Sequence, residues 1–86
     1  MNLQDLRYAV AVDDHRHFGR AAEACFVSQP TLSSQLRKLE DELGVALFER
    51  SKTVVSLTPI GARVVEQAQR TLEEAARIKE VASQGR

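Results

Sequence analysis

Apolar residues recur along most of the chain at helical spacing, and the interruptions of that rhythm divide it into segments. Leu3, Leu6 and Val10 mark a first helix, with Asn2 placed to cap it and Asp5 beside its positive end. The charged run from Asp13 to His17 closes this helix. Phe18 to Cys25 reads as a short second helix, in which Ala21 and Ala22 are small enough for another helix to cross closely. Phe26 and Val27 form a tight turn. Ser28 then caps a third helix that tolerates Pro30 in its first turn, where backbone N–H groups lack helical partners. Leu32, Leu36, Leu39 and Leu43 form its apolar stripe, and Gly44 stands where a helix commonly ends in a left-handed residue.

From Val45 to Leu57 apolar residues flank a polar centre, and Val54 to Leu57 favour a strand, so the stretch predicts a short two-stranded hairpin. Thr58 and Pro59 supply a capping hydroxyl and a proline at the first helical position. The helix that follows meets no breaker up to about Ser83. Gly61, Val65, Ala68, Leu72, Ala75 and Ala82 trace its small-residue stripe, interrupted by Lys79. A helix this long cannot place its whole stripe on a three-helix core, so pairing with the same helix of a second copy is the simplest completion. The expected architecture is mainly α: a winged helix-turn-helix over 1–58, with the helix-turn-helix at 18–37, and a linker helix for dimerisation over 59–86. Leu3, Leu6, Val65, Ala68, Leu72 and Ala75 are the candidate dimer residues.

Composition changes this picture in three ways. At 86 residues the chain buries only roughly 60% of its unfolded surface, so its core of Leu, Val, Ala and three Phe is marginal. The single cysteine, Cys25, excludes an internal disulfide and a cysteine-rich zinc site, and fits a reducing, cytoplasmic setting. The opening residues do not resemble a secretory signal, and no apolar run approaches the roughly 20 residues of a membrane helix. No cofactor is expected.

Twelve Lys and Arg balance twelve Asp and Glu, whereas DNA-binding domains are usually basic. The distribution matters more than the sum. Between His15 and Leu39 stand Arg16, Arg20, Arg37 and Lys38 against one acid, Glu23. Opposite the leucine stripe of the third helix project Pro30, Ser34, Arg37 and Lys38, flanked by Thr31 and Ser33, with no acid before Glu40. Such an edge suits a major groove: hydroxyls and amides approach base edges, Thr and Pro touch thymine methyls, and Arg takes guanine or phosphate. Gln29, Pro30, Thr31, Ser33, Ser34 and Arg37 are therefore candidate base readers. Arg20, Ser28, Lys38, Arg50, Ser51 and Lys52 are candidates for the DNA backbone or minor groove, the last three at the tip of the hairpin. Periodicity alone leaves an ordinary solvated helix surface open as the alternative.

Other chemistry is poorly supported. His15 and His17 lack a third ligand in pattern and read as a solvated loop. Cys25, between Ala24 and Phe26, reads as a buried small hydrophobe, against a redox thiol. No nucleophile with its base, glycine-rich phosphate loop or carboxylate pair stands out, so an enzyme is not expected. A helical adaptor that binds protein is the competing class.

The run Arg20-Ala21-Ala22, Val27 to Ser33, Gln35, Leu39-Glu40, Leu43-Gly44 and Leu47 to Arg50, with Thr58-Pro59 and Gly61, resembles the LysR-type regulators over essentially the whole chain. His15 to Phe18, Cys25 and Arg37 to Val45 look most like the peroxide-responsive branch; a regulator with another effector is the alternative. Gly19 departs from the serine many members carry. The resemblance implies a sequence-specific transcription regulator that acts as a homodimer on a partly palindromic promoter site, assembles as a tetramer when intact, and reaches RNA polymerase. It also implies an effector-binding domain that this chain lacks.

Overall fold

The computed structural model describes residues 1–51 and 54–86. Its elements follow in the order α1 (Leu3–His15), α2 (Phe18–Ala24), α3 (Gln29–Leu43), β1 (Phe48–Arg50), β2 (Val55–Leu57) and α4 (Pro59–Ser83). Local chemistry sets each helix start. The Asn2 side chain accepts the Asp5 N–H at 2.9 Å while the Asp5 carboxylate accepts the Asn2 N–H at 3.2 Å, a reciprocal cap. Ser28 Oγ accepts the Thr31 N–H, and Thr58 Oγ1 accepts the Gly61 N–H at 2.9 Å. Gly44 ends α3 with φ +73°, as its position predicts.

Helices α1, α2 and α3 enclose a core that the start of α4 and the hairpin complete. Val12, Leu32, Leu36, Leu39, Leu47 and Val65 are at or near full burial, and Tyr8, Ala21, Ala22 and Phe48 join them. Each such Leu or Val stabilises the fold by roughly 1.5–3 kcal/mol relative to exposure. β1 and β2 pair antiparallel, with Phe48 opposite Leu57 and Arg50 opposite Val55. Phe48 turns into the core and ties this wing to the helices.

Two expectations about the core are corrected here. Leu43, the last member of the α3 stripe, is 37% exposed; the helix ends there and the core does not extend to its last turn. Three phenylalanines do not fill the interior either. Phe48 is buried and Phe18 half-buried, but Phe26 is 94% exposed. Phe26 also has φ +58°, a left-handed conformation costing a residue with a Cβ roughly 1–2 kcal/mol. The geometry is imposed by the turn: the Phe26 N–H donates to the Glu23 carbonyl and the Val27 N–H to that of Ala22, both at 3.1 Å. Phe26→Gly should therefore stabilise the chain by about 0.5–1 kcal/mol, raising the Tm in a thermal melt by a few degrees. A lower Tm would mean that the ring makes a stabilising contact.

The stripe of α4 divides between two fates. Gly61, Val65 and Ala68 are buried within the chain, where α4 packs on α1. Leu72 and Ala75 are half-buried, and beyond them Ile78 and Val81 stand 70% and 66% exposed. Leu6 is likewise buried in the single chain. Leu6, Val65 and Ala68, expected at a dimer face, are core residues of the monomer. Leu3, at 39% exposure, remains at the surface. Periodicity reports that a face is apolar, and not what covers it. No helix is long and apolar enough to cross a membrane among the described residues.

Candidate nucleic-acid interface

The stripe that packs α3 onto α1 and α2 dictates what its opposite edge presents. Residues three and four apart share a helix face, so burial of Leu32, Leu36 and Leu39 turns Pro30, Ser34, Arg37 and Lys38 outward together. All four are exposed, with Gln29 and Thr31 at the same end of the helix; Ser33 is half-buried at its side. The six candidate base readers thus lie on the first two and a half turns of one element. Arg20 is exposed on α2, whose first residues, Phe18 and Gly19, line one groove with Gln29, Ser33 and Arg37. Ser28 lies at the tip of α3, its hydroxyl donating to Thr31 Oγ1 at 2.9 Å while it caps the helix.

Between α3, the start of α2 and the wing runs a groove of about 420 Å³, lined by Arg16, His17, Gln29, Ser33, Arg37 and Arg50 among others. No acid lines it. Asp41 is exposed beside Arg37 on another side of α3, and three further acids are engaged elsewhere. Glu42 meets the Met1 ammonium at 2.9 Å and holds its pKa above the ordinary value, chiefly through that hydrogen bond. Asp13 pairs with Arg16 at 3.0 Å. Glu40 is 8% exposed and points inward.

Glu40 is the residue that the sequence did not announce. One oxygen accepts the Leu47 N–H at 2.7 Å and the Phe48 N–H at 3.4 Å, and the other accepts Arg50 Nη2 at 2.7 Å. The Arg50 guanidinium also lies 5.5 Å from the centre of the Phe18 ring, within cation–π range. Arg50 is therefore not at the tip of the wing as expected: it is the last residue of β1, with its side chain folded back against α3. The Ser51 hydroxyl is engaged too, donating to the Val54 carbonyl at 3.0 Å and accepting the Val54 N–H at 3.1 Å. Both clamp the hairpin. Lys52 lies outside the described residues.

His17, read as part of a solvated loop, has a defined task. Its Nδ1 accepts the Arg20 N–H at 3.0 Å and caps α2. Gly19 makes room for this: a Cβ there would lie 2.9 Å from the imidazole Cε1. An alphabet of Ser, Thr, Asp and Asn caps misses an imidazole in that role. The one available signal was a glycine two residues after a histidine. Cys25, expected to be buried, is half-buried, and its burial pushes the thiol pKa up. That leaves less thiolate at neutral pH, the reverse of a reactive cysteine.

This geometry is shared with known proteins. A family profile described as "Bacterial regulatory helix-turn-helix protein, lysR family" matches residues 3–62. The chain belongs to the LysR family. The match runs from α1 through the wing into the first turn of α4. Among curated relatives, the "Hydrogen peroxide-inducible genes activator" of Pectobacterium carotovorum subsp. carotovorum is 58% identical over 84 residues, covering 98% of this chain and 28% of that protein. The chain therefore spans just over a quarter of the length of such a relative. Among solved structures, a full-length OxyR from Pseudomonas aeruginosa superposes with a TM-score of 0.95 at 58% identity, over 100% of this chain and 29% of that one. The BenM DNA-binding domain, in complex with benA site DNA, superposes at 0.93 with 36% identity, over 98% and 94% of the two chains. The fold is thus the winged helix-turn-helix of LysR-type DNA-binding domains, as expected from the pattern of helices and turns.

Proposed function

We propose that this chain is the DNA-binding module of a bacterial transcription regulator that controls peroxide-responsive genes. One observation carries the reading: the acid-free outer edge of α3, from Gln29 to Lys38, stands exposed beside a groove lined by arginines and flanked by the wing. The DNA-bound state of a 36% identical LysR-type domain of nearly the same length supports it. The peroxide assignment rests on the 58% identity to hydrogen peroxide-inducible activators. The N-terminal turns of α3 enter a major groove, where Gln29, Pro30, Thr31, Ser33, Ser34 and Arg37 read base edges. Arg20, Ser28 and Lys38 hold phosphates, and Lys52 at the wing reaches the backbone or minor groove. The module is a reader and not a catalyst, and it works in the cytoplasm.

Pairing completes the site. Two copies join through the distal part of α4, where Ile78 and Val81 are bare and Leu72 and Ala75 half-covered. They thereby set two α3 helices on successive major grooves of a partly palindromic promoter site. Residues 1–58 form the reading unit and 59–86 the linking and pairing segment, whose first turns also close the core. The intact regulator is a tetramer that recruits RNA polymerase. Ile78→Asp should yield a monomer in sedimentation with an unchanged melt of the folded core, because Ile78 is 70% exposed and lies outside the core cluster; a dimer of undiminished stability would place the interface elsewhere.

Selection of duplexes from a random pool, with stoichiometry measured on the winners, tests the whole reading. A shared half-site bound by two chains is the expected result. Recovery of no sequence preference, with weak binding lost at moderate salt, would favour a helical adaptor that contacts protein.

A further inference from the structure

Arg50 is a cation beside the groove, and the simplest role for it is to hold a phosphate. Its surroundings say otherwise. Its side chain keeps 27% of its exposure, one nitrogen is 2.7 Å from a Glu40 oxygen, and its Cζ stands over the Phe18 ring, 5.5 Å from the centre. Glu40 in turn is 9% exposed in its side chain and accepts two further N–H groups, from Leu47 and Phe48 at the base of β1. Three elements therefore meet at one charge pair: α2 through Phe18, α3 through Glu40, and the wing through Arg50 and the two backbone amides. A buried carboxylate with three donors is fully met, and removing one partner leaves an uncompensated charge.

We infer that Glu40 and Arg50 are positioning residues, an internal strut that fixes the angle of the wing against the recognition helix, and that Arg50 is not a DNA ligand. This rests on the DNA-binding reading above. A guanidinium whose charge is matched inside the protein displaces no counterion from a duplex, so it adds nothing to the salt dependence of binding. Its effect on affinity comes through where the wing stands. Lysine cannot replace it, since an ammonium is a compact point charge without the planar fork that reaches Glu40 while its carbon stands over Phe18.

The test compares Arg50→Gln, Arg50→Lys and Lys38→Ala in the full chain, measuring affinity for a selected duplex across a series of salt concentrations. Both Arg50 variants should lose about tenfold in affinity with an unchanged slope of log K against log salt. Lys38→Ala should flatten that slope by about 0.9 per chain. A slope flattened as much by Arg50→Gln and restored by Arg50→Lys would overturn the inference and leave the DNA reading standing. A wild-type chain that binds no duplex even at low salt would overturn both. Without DNA, Glu40→Gln should speed hydrogen exchange at the Leu47 and Phe48 amides; exchange at the wild-type rate would also overturn the strut.

Discussion

Gly61→Ala should lower the Tm by roughly 12–24 °C, corresponding to about 3 kcal/mol or somewhat more for a domain of this size. Helix propensity predicts the opposite sign, because alanine favours a helix interior by roughly 1 kcal/mol over glycine. Packing decides against propensity. A Cβ on Gly61 would collide with the backbone carbonyl of Leu47, and would stand 2.9 Å from Thr58 Oγ1. Neither neighbour can yield. The Leu47 carbonyl accepts the Thr58 N–H at 3.0 Å, and Thr58 Oγ1 donates to the Ala46 carbonyl at 2.7 Å while capping α4. Leu47 itself is at zero exposure. Relief therefore requires α4 to lift away from the base of the wing, which loosens Val65 and Ala68 from the core. Gly85→Ala is the control, since a Cβ there meets only the Ala82 carbonyl at an ordinary 3.6 Å; it should move the Tm by a few degrees at most. Equal melts for the two variants would show that α4 does not approach Leu47 this closely.

Much of the fold was legible because helix boundaries are written locally. Asn2, Ser28 and Thr58 each cap a helix three residues or fewer from the N–H they satisfy, and Gly44 ends α3 with its own backbone. The outer edge of α3 was legible for the same reason: a leucine every third or fourth residue fixes which side faces out. What sequence left open was long-range. The four-and-three spacing of Val65, Ala68 and Leu72 looks the same whether the partner is α1 of the same chain or α4 of another. Glu40 falls four residues after Leu36, on the apolar side of the wheel, which marks it as odd. Its donors arrive from Leu47, Phe48 and Arg50 after the chain has turned at Gly44, and no periodicity encodes that return. Periodicity likewise marks Arg50 only as a basic residue beside a wing, and not as one paired with Glu40.

The same facts resolve the neutral net charge. Three acids that would oppose a duplex are drawn away from the proposed reading face: Glu40 into the core, Glu42 to the N-terminus, Asp13 to Arg16. On α4, Glu66 pairs with Arg70 at 2.8 Å and Glu74 with Arg77 at 3.5 Å, both pairs exposed. Such surface pairs stabilise by at most about 1 kcal/mol each, but they keep negative charge on the far helix. The field at the proposed recognition edge is thus set locally, by Arg20, Arg37 and Lys38 with Asp41 beside Arg37, over a Debye length of about 8 Å at physiological salt, and not by the sum over the chain.

That edge is where a single carboxylate does most damage. Ser34→Glu should weaken binding to the selected duplex by at least about 100-fold, or about 2.7 kcal/mol. Ser34 is exposed on α3 one turn after Pro30 and one turn before Arg37 and Lys38. It thus occupies the middle of the face proposed to enter the groove. A glutamate there sets a negative charge among phosphates and acceptor atoms of the bases, and it draws Arg37 or Lys38 into a pair three or four residues on. In the proposed dimer the change is carried twice, so both half-sites are affected. The fold is not at risk, since the position is open to solvent and glutamate is the better helix former of the two. Ser34→Gln separates charge from size: it fills the same space, keeps hydrogen-bonding capacity, and should lose far less, with altered base preference at one position of each half-site. Should the two variants bind alike, repulsion is not felt at Ser34, and the outer edge of α3 does not lie in the duplex.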